Sequence, residues 1–226
     1  MSKAILNLTD AHLVLTYQNA SVSSIGQAYL KDEEIVFGDQ AYQQAKLHPI
    51  QSEDNFWSRL DMTPLKQTNR QAQHQADLVY FQLLDLHKQT PETKSVGVAL
   101  PDVYSNDQLS LLLGIVEHAD FDVSAFISSA VAACYGKKRG NHLYIDMQQY
   151  NAVISLVNVD DNIKLVKSEV INGVGLMDWY NHWANLIAKY FIHQLYKSSL
   201  NYYRPIFIIL LINIQTLGNI YAGSKL

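Results

Sequence analysis

The stretch "HLYIDMQQYNAVISLVN", His142 to Asn158, holds an apolar strand with Asp146 near its end, a short polar turn and a second apolar strand. Near the start of the chain, "AILNLTDAHLVLTYQ", Ala4 to Gln18, has the same layout, with Asn7 in the place of Asp146. Each reads as a β-hairpin, because apolar runs are separated by turn-forming residues. In both halves further strands and helices follow. A repeated β-meander with helices points to an internal duplication, and therefore to two related lobes of an α/β protein.

Working outward from the first copy, "AILNL", "LVLTYQN" and "IGQAYL" predict a meander, and "EEIVFG" a fourth strand. "GDQAYQQAKLHP" predicts a helix that starts near Asp39 and is stopped by Pro49. "DNFWSRLDM" has no clear type. From Asn69 to Lys88 the residues Ala72, Ala76, Val79, Tyr80, Leu83 and Leu84 recur at helical spacing. The strand "SVGVAL" ends at Pro101, a helix capped by Ser105 or Asn106 runs to about His118, and "FDVSAFI" and "SSAVAACYG" read as strand and helix. After the second hairpin, "IKLVKSEVI" predicts a strand and Leu176 to Leu195 a helix whose stripe includes Trp179, Trp183, Tyr190 and Phe191. That stripe is expected to be core first and a binding surface second.

Composition narrows the function classes. The chain has 226 residues, 48% of them hydrophobic, enough for a real core. A net charge of -4 gives no general attraction for nucleic acid or anionic membranes, and Lys137-Lys138-Arg139 reads as a solvated loop. Cys134 is the single cysteine, so no internal disulfide forms; a reducing, cytoplasmic setting and a buried structural thiol are expected. No apolar run approaches the ~20 residues of a membrane helix. The eight histidines are scattered without metal-site spacing. Neither a G-x-S-x-G elbow nor a G-x-G-x-x-G or Walker loop occurs. No metal site is therefore expected.

The order of segments resembles the N-terminal part of the nucleotide-binding domain of the heat-shock protein 70 family, among the actin-like ATPases. The resemblance covers roughly residues 4 to 195. It rests on "FGDQAYQQAKLHP", on "VGVALPDVYSNDQLSLLLGIVEHADFDVSAFISSAVAACYG" and on "GVGLMDWYNHWANLIAKYF", taken together and in sequence. It implies an actin-like (ribonuclease H-like) fold with a first lobe over 1–140, the start of a second, incomplete lobe over 141–195, and an atypical tail over 196–226. It also implies an ATP–Mg²⁺ site between hairpin turns. The tail contains no Asp or Glu, whereas the preceding residues carry all 21, so it reads as a replaced or frame-shifted end, or else as an apolar cover for the second lobe.

The family's phosphate-loop pattern fails here. Where its first loop has Asp-Leu-Gly-Thr, this chain has Asn7-Leu8-Thr9-Asp10; where its second has Asp-Leu-Gly-Gly-Gly-Thr, this chain has Asp146-Met147-Gln148-Gln149-Tyr150-Asn151. An expected catalytic lysine is Ser58, and an expected Glu-Pro is Ser128-Ser129. Glycines in such loops let backbone N–H groups approach phosphate oxygens. Gln149 and Tyr150 would instead put side chains where phosphates lie, and Asp10 would add negative charge. Asp146 is the one retained catalytic candidate, although a strand-end aspartate also caps turns through backbone amides. The degenerate phosphate-loop positions are Asn7, Thr9, Asp10, Asp146, Gln148, Gln149 and Tyr150. Each lost charge-assisted hydrogen bond is worth about 1.5–3 kcal/mol, so ATP–Mg²⁺ is expected to bind weakly if at all. The expected protein is a chaperone-related pseudo-ATPase acting through protein contacts or self-association. A weak ATP-binding module and a non-functional remnant are the alternatives.

Overall fold

The computed structural model describes residues 4–18, 20–31, 33–67, 69–93 and 95–198. In chain order these form β1 (Ala4–Asn7), β2 (Leu13–Tyr17), β3 (Ala20–Ser24), β4 (Ala28–Lys31), β5 (Glu34–Phe37), α1 (Gly38–Ala45) and β6 (Ser52–Glu53). Then come α2 (Gln75–Gln89), β7 (Ser95–Leu100), α3 (Asn106–His118), β8 (Asp122–Ser128) and α4 (Ser129–Ala133). The last are β9 (Gly140–Met147), β10 (Asn151–Val159), β11 (Ile163–Asn172) and α5 (Leu176–Ser198).

Alternation decides which side of the first sheet is buried. Ala4, Leu6 and Leu8 point to one face, and Leu13 and Leu15 of β2 lie beside them. The sheet runs β3-β2-β1-β7-β8, antiparallel through β1 to β3 and parallel from β1 to β7 and β8. Parallel neighbours need long crossovers, and α2 and α3 provide them. Leu78, Val79, Leu83 and Leu86 of α2, with Leu112 and Val116 of α3, close a single large core over that face. A capping box starts α3: the Gln108 N–H donates to Ser105 Oγ (3.2 Å), and the Ser105 N–H to Gln108 Oε1 (3.0 Å). Buried Gln82 ties α2 to the sheet by accepting from Trp57 Nε1 (2.7 Å) and donating to Ser24 Oγ and Ile25 O (2.7 Å each).

The second hairpin belongs to a separate antiparallel sheet, β11-β10-β9. On one face Val157 and Val159 pack with Ala130 and Cys134, so the cysteine is buried. The molecule is thus a mixed α/β protein with two β-meander sheets, plus a small sheet β5-β4-β6. The chain divides into two units, 1–181 and 182–226, the boundary falling inside α5. Expectations for the tail lie outside the described residues from 199 onward.

Three expectations are corrected, and the segment left without a type is assigned. The third meander strand is "ASVSS", not "IGQAYL": Ala20–Ser24 is the sheet edge, with Ala20, Ser21 and Ser23 exposed, so it carries little apolar signal. Ala28–Lys31 instead pairs with β5 and β6. The long helix starts at Gln75 rather than Asn69, because Asn69 Oδ1 accepts from the N–H groups of Gln71 (2.8 Å) and Ala72 (2.7 Å) in a turn. "DNFWSRLDM" is a turn-rich segment that nevertheless buries Phe56, Trp57 and Leu60. Finally, the α5 stripe is not core: Trp179, Trp183, Tyr190 and Phe191 are exposed.

Candidate functional site

Both hairpin turns lie in the unit 1–181 and face one another, so the residues at their tips decide what the space between them holds. In the first turn, Thr9 Oγ1 donates to His12 O (3.0 Å), closing the chain on itself and presenting Asp10 inward. In the second, the Gln148 N–H donates to Asn151 O (2.9 Å), and the N–H groups of Leu176 and Met177 donate to Gln148 O (2.9 Å) and Gln149 O (2.8 Å). Amides at the start of α5, which carry partial positive charge and would suit an anion, are therefore occupied by the chain's own carbonyls.

The two turns are latched in both directions. The Gln149 N–H donates to Asp10 Oδ1 (2.8 Å), and the Asp10 N–H donates to Gln148 Oε1 (3.0 Å). The Gln149 side-chain amide donates to Asp10 O (2.7 Å) and Gly26 O (2.9 Å). Asp10, Gln148 and Gln149 are all buried. Tyr150 turns aside, its hydroxyl donating to an Asp54 carboxylate oxygen. Two glycines make this contact tight enough to form. A Cβ on Gly26 would collide with Asp10 O, and one on Gly175 with the backbone of Gln149 and Tyr150. Sequence reasoning missed Gly26 and Asp54. An isolated glycine inside an apparent strand is the signal for a close backbone approach, whereas nothing near Asp54 marks it.

The electrostatics are those of an anionic, poorly solvated pocket. Burial pushes Asp10 up to about 6; the Gln149 N–H pulls it back in part, while the charge of Asp146 raises it further. Burial likewise pushes Asp146 up to about 6, against a smaller opposing effect of the Gln148 side chain. Tyr104, half-buried near Asp10 and Asp146, is raised by burial and then by those charges. Burial, with Asp54, raises Tyr150. Asp146 Oδ2, Asn7 Oδ1 and Gln148 Nε2 are buried without a hydrogen-bond partner. Asp146 thus sits behind the latch with an unpartnered oxygen.

The remaining expected positions are elsewhere occupied. Ser58 Oγ donates to Asn55 O (3.0 Å) on the surface. Ser128 caps α4 by accepting from the Val131 N–H (3.2 Å) and donates to Asp102 Oδ2 (2.7 Å). Among the described residues no three His, Cys, Asp or Glu side chains are placed to hold a metal ion, and no helix is long and apolar enough to cross a membrane. Chemically, this arrangement sets together two carboxylates, Asp10 and Asp146, that burial holds above the usual carboxylate range. What the fold defines is a mixed α/β protein with a latched, carboxylate-rich junction between two hairpins. No protein-family model and no curated protein matches the chain.

Proposed function

We propose that this chain is a chaperone-related homologue of the actin-like ATPase domain whose phosphate site is sealed, and that it acts through protein contacts rather than hydrolysis. The sealing observation carries the reading: Gln149 fills the space between the two turns and bonds Asp10 and Gly26 across it. Support for the actin-like part comes from the β3-β2-β1-β7-β8 order and from a second meander whose turn meets the first. Support for silence comes from the charge. Phosphoryl transfer needs cations at the transferring group, and the groups that face one another here are Asp10, Asp146 and Asp54. A weak ATP–Mg²⁺ module remains the second reading, favoured by the buried, unpartnered Asp146 Oδ2 and Asn7 Oδ1.

Thermal melting with and without several millimolar Mg-ATP separates the two. Ligand at a hundred times its dissociation constant stabilises by about 2.7 kcal/mol, and for a chain of this size each kcal/mol is worth about 2–4 °C. The expected result is no shift. A rise of several degrees that Asp146→Ala abolishes would overturn the sealed-site reading in favour of the second.

A further inference from the structure

Asp10 stands at most of the bonds that hold the two hairpin turns together. Its carboxylate accepts from the Gln149 N–H, its own N–H donates to Gln148 Oε1, and its carbonyl accepts from the Gln149 side-chain amide. That amide also donates to Gly26 O. Neither sheet depends on these bonds for its own packing. The first closes on a cluster that includes Leu6, Leu15, Leu83 and Val116, and the second on Ala130, Cys134, Val157 and Val159. The tips of the hairpins can therefore part while both meanders stay folded.

The surroundings of Asp10 decide when they part. Asp10 is 4% exposed and Asp146 7%. Asp146 Oδ2 has no donor among the described residues. A carboxylate oxygen at that depth without a donor is a place for a proton rather than for a charge. The neighbouring titratable groups give no relief. The charges acting on Asp10 are those of Asp146 and Asp54, both of its own sign. Tyr104, in the loop before α3, and Tyr144 of β9 face Asp146, while Tyr150 faces Asp54, Asp10 and Asp178 of α5. All three phenols are raised above their ordinary range, so they stay neutral and offset neither carboxylate.

We propose that the contact between the two hairpin turns is a proton-controlled latch, closed while Asp10 and Asp146 are neutral and opening locally, with both sheets intact, as they ionise. The inference rests on the sealed junction described above and adds what unseals it. Burial holds each acid at about 6 against an ordinary 3.8. Opening restores water to both carboxylates, so raising the pH favours the open form. Between pH 5 and pH 7.5 each acid shifts the opening equilibrium about tenfold, and the two together up to about a hundredfold.

The test is amide hydrogen exchange on the full chain at pH 5 and pH 7.5, at several low urea concentrations, with rates corrected for their intrinsic pH dependence. Local opening exposes little surface and barely responds to urea, whereas global unfolding responds in full. The Asp10 and Gln149 amides should exchange by the urea-insensitive route, with protection at least about tenfold lower at pH 7.5 than at pH 5. Asp10→Asn and Asp146→Asn keep the side-chain shape and cannot ionise, so each should recover about tenfold of the Gln149 protection at pH 7.5. Carbon-13 carboxyl shifts of the unaltered protein should show both acids titrating near pH 6. Exchange of the Asp10 and Gln149 amides only by the urea-sensitive route, together with those of Leu6 and Val98, would overturn the latch. So would equal protection at the two pH values, asparagine variants that lose protection as the unaltered chain does, or carboxyls that titrate in their ordinary range. Each of those results leaves the sealed-site reading standing, because that reading is decided by the Mg-ATP melt.

Discussion

At the residue scale the junction turns on Asp10, a carboxylate that is buried, hydrogen-bonded to the Gln149 N–H and set against the charge of Asp146. Its pKa lies above the unfolded value of 3.8, at about 6, so the folded state takes up a proton first as pH falls. The stability linked to that proton is fully present below about pH 4 and is lost as pH rises through 6. For Asp10 the swing is at most about 3 kcal/mol, since one unit is worth about 1.4 kcal/mol. Asp146 titrates in the same window, so the pair shares macroscopic steps. Urea unfolding should therefore show higher stability at pH 5 than at pH 7.5, and Asp10→Asn should flatten that slope by about half. A stability that rises between pH 5 and pH 7.5 would contradict the buried-carboxylate account. Gln149→Ala leaves Asp10 O and Gly26 O without their amide partner, so a loss of about 1–3 kcal/mol is expected in the same assay. Asp10, Asp146, Gln148 and Gln149 were visible in the sequence as candidate site residues of the two hairpin turns. What they do was not, because a side chain's partner across 139 positions has no local signature.

Among the elements, boundaries followed local chemistry and failed where tertiary pairing took over. The α3 start was legible in Ser105, whose hydroxyl accepts from Gln108; Ser105→Ala should cost about 1 kcal/mol in thermal or urea unfolding. The edge strand Ala20–Ser24 was not legible, since it pairs with β2 through its backbone while showing mostly small polar side chains. Gly26 and Gly175 belong to this scale too, each allowing one turn to lie against another segment. A methyl group on either must push backbone aside. Gly26→Ala and Gly175→Ala should each destabilise by more than about 2 kcal/mol, in the class of strained or overpacked sites. An unchanged midpoint for either would mean the turns do not close as described.

For the whole molecule, the two sheets differ in how much core they own. The first rests on a cluster that includes Leu6, Leu15, Trp57, Leu83, Val98 and Val116, whereas the second has Ala130, Cys134, Val157 and Val159. Local opening follows buried apolar contact, so amide hydrogen exchange should be slower in β1 and β7 than in the central strand β10. Equal protection throughout would mean that the second sheet is covered as fully as the first. By itself the sequence determined the α/β class and the repeated hairpins, because periodicity and turn chemistry are local and survive in one dimension. Only the tertiary structure decided that the two turns bind each other, that Gly26 and Asp54 belong to the junction, and that Trp179 and Trp183 of α5 are exposed. Those outcomes depend on which surfaces meet, and burial is a property of the pair of surfaces rather than of either segment.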